Sequence, residues 1–72
     1  MEYQNTEILS IAKGIFETED ITMSTSRGDV SSWDSLAHVM LISEIETKFK
    51  IGIPFEEISK IEKLQDLIKY IG

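Results

Sequence analysis

Between Ser35 and Phe49, apolar side chains recur at intervals of three and four residues, with no glycine or proline to interrupt them. That spacing is the signature of an amphipathic α-helix. Ile51-Gly52-Ile53-Pro54 follows, a glycine suited to the position after a helix end and a proline suited to starting a new element. Asp34 precedes the run, and its carboxylate can accept from free N–H groups one turn in. Ser35 is therefore predicted as the first helical residue of a helix over 35–50. Val39, Ile42, Ile45, Glu46 and Phe49 share one face, with Glu46 at its edge, and are predicted to line the core. Leu36, Ala37, Met40 and Leu41 lie around the other side, which is either buried as well or offered to a partner.

The remaining chain supplies what this helix packs against. Residues 4–17 read as a first helix with Ile8, Ile11, Ala12 and Ile15 on one face, widened by Leu9 and Phe16. Asn5 or Thr6 is placed to cap it. Gly14 inside it costs about 1 kcal/mol relative to alanine, an expense that close approach to another helix would explain. Residues 18–34 are rich in Ser and Thr and read as a loop, with Ile21, Met23, Val30 and Trp33 as its anchors to the helices. Phe55 to Lys60 makes one short turn, with Phe55 and Ile58 at i, i+3. Ile61 to Ile71 reads as the last helix, with Ile61, Leu64, Leu67, Ile68 and Ile71 inward and Gly72 after its end. The expected fold is all-α: a small four-helix bundle of three main helices and one short one, with a long loop between helices one and two.

Composition narrows the function classes. At 72 residues the chain is predicted to be a single domain over 1–72, too small for a deep pocket of converging polar groups. It has no cysteine, so disulfides and cysteine metal sites are excluded, and no metal site is expected. Thirteen acids against seven bases give a net charge of −6, which repels nucleic acid and favours basic partner surfaces. Residues 1–34 carry seven of the acids and two of the bases. The longest apolar runs, such as Val39 to Ile42, fall far short of the roughly 20 residues of a membrane span, and no signal peptide is evident. A cytoplasmic monomer is the expectation.

Ser35 sits where a loop meets a helix, exposed and accessible. His38 follows three residues later, which invites a Ser–His catalytic reading. A serine hydroxyl is a weak nucleophile unless a base activates it. No third group clearly orients His38 and no oxyanion hole is visible, so the chain is read as a non-enzyme and His38 as a surface residue. Taken alone, Ser35 is better read as an ordinary N-terminal helix serine, and Asp34 as a simple cap.

The order of residues carries more. Asp34-Ser35-Leu36 at a helix start, then Ile42, Glu44-Ile45-Glu46, Phe49, Ile53-Pro54, Glu56-Glu57 and Tyr70-Ile71, resembles the acyl carrier protein family. The resemblance runs from Ile21 to Ile71. It implies that Ser35 is the attachment point for 4′-phosphopantetheine, moved from coenzyme A by a separate phosphopantetheinyl transferase, with Asp34 and Leu36 completing the attachment motif. It also implies that an acyl- or aminoacyl-loading ligase and downstream transferases are partners. Leu36, His38, Met40, Leu41 and Glu44 are the expected partner-binding residues. Phosphate at a helix N-terminus fits the field there. Departures from the family pattern are Ala37 and Met40 where acids are common, Val30-Ser31-Ser32-Trp33 in place of Asp-Leu-Gly-x, and Arg27 where the loop usually holds an aromatic. Lys48 and Lys50 offset Glu44 and Glu46. These point to a specialised pathway rather than general fatty-acid synthesis. An aminoacyl or peptidyl carrier, and an unmodified acidic helical interaction module, are the alternatives.

Overall fold

The computed structural model describes residues 2–71, with side chains from Gln4 to Ile71. Helix α1 spans Glu2–Phe16 and α2 spans Ser35–Phe49. A one-turn helix, α3, follows at Phe55–Ile58. A 3₁₀ turn, Leu64–Leu67, then runs directly into α4, Ile68–Ile71. The result is a small all-α bundle with a long loop between α1 and α2, as the sequence predicts. Gly72 lies outside the described residues.

The core forms where α1, α2 and the C-terminal turn meet. Ile8, Ala12 and Phe16 of α1 face Leu41, Ile42 and Ile45 of α2, and Ile53, Ile61, Leu64 and Leu67 close the far side. Phe49 and Ile58 are half-buried against this cluster. The loop is anchored by its apolar residues: Ile21 and Trp33 are buried, and Met23 and Val30 pack partly against the core. Backbone bonds also stitch it to the C-terminal segment. Arg27 N–H donates to Glu62 O at 2.8 Å, and Gln65 N–H to Met23 O at 2.9 Å. Ser32 Oγ–H donates to Phe16 O at 2.8 Å, tying the loop back to the end of α1.

Several expectations are corrected. α1 begins before Asn5 and Thr6, so neither caps it. Gly14 approaches no other helix; a Cβ built on it meets nothing within 4 Å. Gly14→Ala is therefore expected to raise stability by about 0.5–1 kcal/mol, read as a higher urea midpoint, since the space is open and only the backbone entropy cost remains. Both long helices end on a non-glycine residue in the left-handed region, Glu17 and Lys50, each at φ 56. The following N–H then closes a bond across the end, Thr18 to Lys13 O at 3.3 Å and Ile51 to Glu46 O at 3.1 Å. Lys50, not Gly52, thus makes the turn out of α2.

The last helical segment starts at Leu64 rather than Ile61, and its first turn is 3₁₀. The N–H groups of Glu62 and Lys63 are both taken by Asp66 Oδ2 at 3.0 Å, and the Glu62 carbonyl is taken by Arg27. Burial alone would raise the Asp66 carboxyl, but these two donors and the nearby Lys69 and Lys63 hold it below its ordinary range. Ile61 to Lys63 is consequently left out of the helix, with Lys63 extended and bridged antiparallel to Ser26.

Candidate functional site

Ser35 is exposed as the first residue of α2. Asp34 caps the helix, its Oδ1 accepting from Ala37 N–H at 2.9 Å. That cap fixes the direction in which α2 leaves the loop and so the direction of Ser35. Beside Ser35 runs an open, mainly apolar groove of about 300 Å³, lined by His38 and Val39 of α2, Phe55, Glu56 and Ile58 of α3, and Arg27 of the loop. A larger groove of about 510 Å³ lies on α1 near Leu9, Lys13 and Gly14, and Ser35 takes no part in it.

The outward face of α2 carries Leu36, Val39 and Met40, at 71%, 59% and 47% exposure, and Phe55 of α3 stands across from them at 88%. Exposed side chains of this size, gathered around one serine, form an apolar rim. Leu36 and Met40, read from the sequence as partner-facing, are exposed. Val39 does not: it was expected in the core and is on the rim. Phe55 was missed as an exposed residue. A signal was present for Val39, because residues at i+3 and i+4 from an outward Leu36 share its face. Glu44 is exposed and makes no ion pair among the described residues. Lys48 pairs with Glu7 of α1 at 3.2 Å, and Glu46 Oε2 accepts from Ile53 N–H at 2.8 Å, so neither simply offsets the other.

Leu41 and His38 are corrections in the opposite direction. Leu41 is fully buried, so its side chain is a core contact and not a partner contact. His38 is 4% exposed and lies beneath the rim. Its Nδ1 accepts from Trp33 Nε1–H at 2.9 Å, and its Nε2 sits 2.8 Å from Ile58 O. The indole can only donate and the carbonyl can only accept, so the ring is neutral with its proton on Nε2. Burial, foremost, holds the ring below its ordinary pKa. Trp33 stacks on Phe16 with centroids 4.8 Å apart, which continues the chain of contacts back to α1. Both imidazole nitrogens are committed, and neither is free to take the proton of Ser35. The Ser–His pairing that the sequence suggests is not a catalytic dyad here.

α3 is held at its outer edge as well. Tyr70 O–H donates to Glu57 Oε1 at 2.8 Å. That bond, with Lys60 adding to it, keeps the Glu57 carboxyl below its usual range and pushes the Tyr70 hydroxyl up. Among the described residues no cluster of three or more metal-ligating side chains occurs, and no helix is long and apolar enough to cross a membrane.

No family model and no solved structure matches the chain. Among curated proteins it is similar to the acyl carrier protein of Rickettsia bellii strain RML369-C, 36% identical over 53 residues, which covers 74% of this chain and 62% of that one. It is 55% identical over 38 residues to the acyl carrier protein of Chloroherpeton thalassium, covering 53% of this chain and 48% of that one. The matched stretch thus spans less than two thirds of either relative. With the acyl carrier protein of Brachyspira hyodysenteriae it is 35% identical over 65 residues, 90% of this chain and 83% of the relative. A similarity that long, on a small helical bundle with an exposed serine at the head of its second long helix, means that the chain belongs to the acyl carrier protein family.

Proposed function

We propose that residues 1–72 form a single carrier domain that acts in the cytoplasm as a monomer, with Ser35 as the attachment point for a 4′-phosphopantetheine arm. The observation that carries this reading is the position of Ser35: exposed, first in α2, aimed by the Asp34 cap and open to an apolar groove. The residues around it fit the group. The first N–H groups of α2 favour an anion, and Arg27 lends positive charge to the wall of the same groove. When bound, the arm supplies a terminal thiol on which acyl groups are held as thioesters.

Attachment joins Ser35 Oγ to the pantetheine-side phosphorus of coenzyme A, breaks the pyrophosphate bond and releases 3′,5′-ADP. The Ser35 proton leaves to a base that the phosphopantetheinyl transferase must provide, because His38 is committed elsewhere. The chain itself catalyses no step in this account. Leu36, Met40, Val39 and Phe55 offer partner enzymes an apolar surface, with Glu44 as an exposed acid on the same helix. That balance favours a dedicated loading ligase and downstream transferases of a specialised pathway over enzymes that dock through acidic helices.

A fluorescent coenzyme A analogue and a broad-specificity transferase test the reading. The expected result is label on the wild type and on Ser32→Ala, and none on a folded Ser35→Ala. Label on Ser35→Ala would remove Ser35 from the account. The exposed apolar rim also supports a second reading, an unmodified module that binds partners directly. Its sign is full partner binding and biological function in Ser35→Ala.

A further inference from the structure

The groove beside Ser35 has one wall on α2 and the other on α3, and α3 is a single turn. So short a helix does not hold its place through its own backbone bonds. Its outer side is tied by Tyr70 to Glu57. Its inner side is tied by His38, whose Nε2–H reaches the carbonyl of Ile58, the last residue of α3. A proton on Nδ1 leaves the Nε2–H in place but ends the acceptor role toward Trp33 that seats the ring, and a ring driven off Trp33 leaves Ile58 as well. A proton on Nδ1 would set two N–H groups against each other at 2.9 Å, inside a site from which water is excluded.

We propose that His38 is a positioning residue: its Nε2–H tautomer, imposed by Trp33, latches the end of α3 to α2 and fixes the width of the groove beside Ser35, and protonation of the ring releases the latch. The proposal rests on the carrier reading only in making that groove the surface that a group on Ser35 meets. The latch itself belongs to the unmodified protein, so its failure and a failure of attachment are separate results.

The charged surroundings set the direction of the response. Burial and Arg27, on the 3₁₀ turn of the loop, oppose protonation of His38. The Ile58 carbonyl and Glu62, on the extended segment before Leu64, favour it, and burial prevails, placing the ring below 6.5. Glu56 lies on the α3 wall of the groove and Asp34 one turn before His38 on α2. Below 6.5 the unfolded chain binds the proton that the folded ring resists. The latch therefore contributes fully above 6.5, weakens as pH falls below it, and is lost once pH passes the folded value.

His38 is the one histidine and Trp33 the one tryptophan of the chain, so both partners are read without ambiguity. Long-range ¹H–¹⁵N NMR of the unmodified protein is expected to show the Nε2–H tautomer at neutral pH. On acidification the imidazole should titrate below 6.5, and the Trp33 indole N–H and the amides of Lys60 and Ile61, which bond back into α3, should shift with the same midpoint. His38→Gln retains one acceptor and one donor but cannot titrate in this range, and is expected to keep α3 in place while abolishing the pH response. His38→Ala is expected to speed hydrogen exchange of the Lys60 and Ile61 amides roughly three- to tenfold, the scale of one lost hydrogen bond. A ring that titrates at or above 6.5, or titrates without moving α3, overturns the latch. So does a pH response that survives in His38→Gln. If that variant does not fold, the wild-type titration decides.

Discussion

Trp33→Ala is expected to leave much of the protein unfolded at physiological temperature. Trp33 is buried, stacks on Phe16 and donates to His38. Truncating an aromatic of this size in a core costs about 3–5 kcal/mol, from lost burial and the cavity left behind. The whole stability of a domain is only about 5–15 kcal/mol, and a chain this short belongs at the low end. Urea denaturation followed by far-UV circular dichroism reads the loss. Trp33→Phe partly separates the contributions: it keeps an aromatic ring against Phe16 but removes the indole N–H and some ring volume, leaving His38 Nδ1 without its donor. That variant is expected to lose about 1–3 kcal/mol. Equal losses in both would mean that packing on Phe16 contributes little.

Leu41→Ala and Met40→Ala, adjacent in sequence, are expected to differ widely. Leu41 is fully buried and its truncation costs about 2–5 kcal/mol. Met40 is 47% exposed, and its replacement stays within about 0.5 kcal/mol of wild type. Because 1 kcal/mol moves the melting temperature of a domain this size by about 4–8 °C, thermal melts resolve the two easily. The pair reads the rotation of α2 about its axis. Similar losses in both would place the rim in the core and remove the docking surface.

That rotation is also where the sequence reads least well. Apolar residues surround α2 almost completely, at Leu36, Ala37, Val39, Met40, Leu41, Ile42, Ile45 and Phe49. Periodicity alone then admits more than one face, and a face through Val39 looks as good as one through Leu41. The buried stripe runs Ala37, His38, Leu41, Ile42, Ile45. It contains a histidine, which a search for apolar spacing passes over. The indole of Trp33 and the carbonyl of Ile58 satisfy that buried histidine, and neither lies on α2 itself.

What was legible had local causes. The start of α2 follows from Asp34 capping its own first turn, and the break at Pro54 from the proline itself. The loop anchors Ile21, Met23, Val30 and Trp33 stand out because they are apolar within a polar stretch. The late start of the C-terminal helical segment has a local cause in Asp66, which takes the N–H groups of Glu62 and Lys63, and a distant one. The distant one is Arg27 holding the Glu62 carbonyl, a backbone bond between separate parts of the chain that no local pattern shows. Ser35 was legible as a candidate from motif order, whereas the groove beside it depends on where α3 docks.

Whether Ser35 carries the arm is read by intact-mass spectrometry with fragment mapping. The protein is incubated with coenzyme A, Mg²⁺ and a broad-specificity phosphopantetheinyl transferase. A gain of one phosphopantetheine is expected, with every modified fragment containing Ser35 and none assigned to Ser31, Ser32 or Ser43. A folded protein that gains no mass, or that gains it on another serine, would contradict the account.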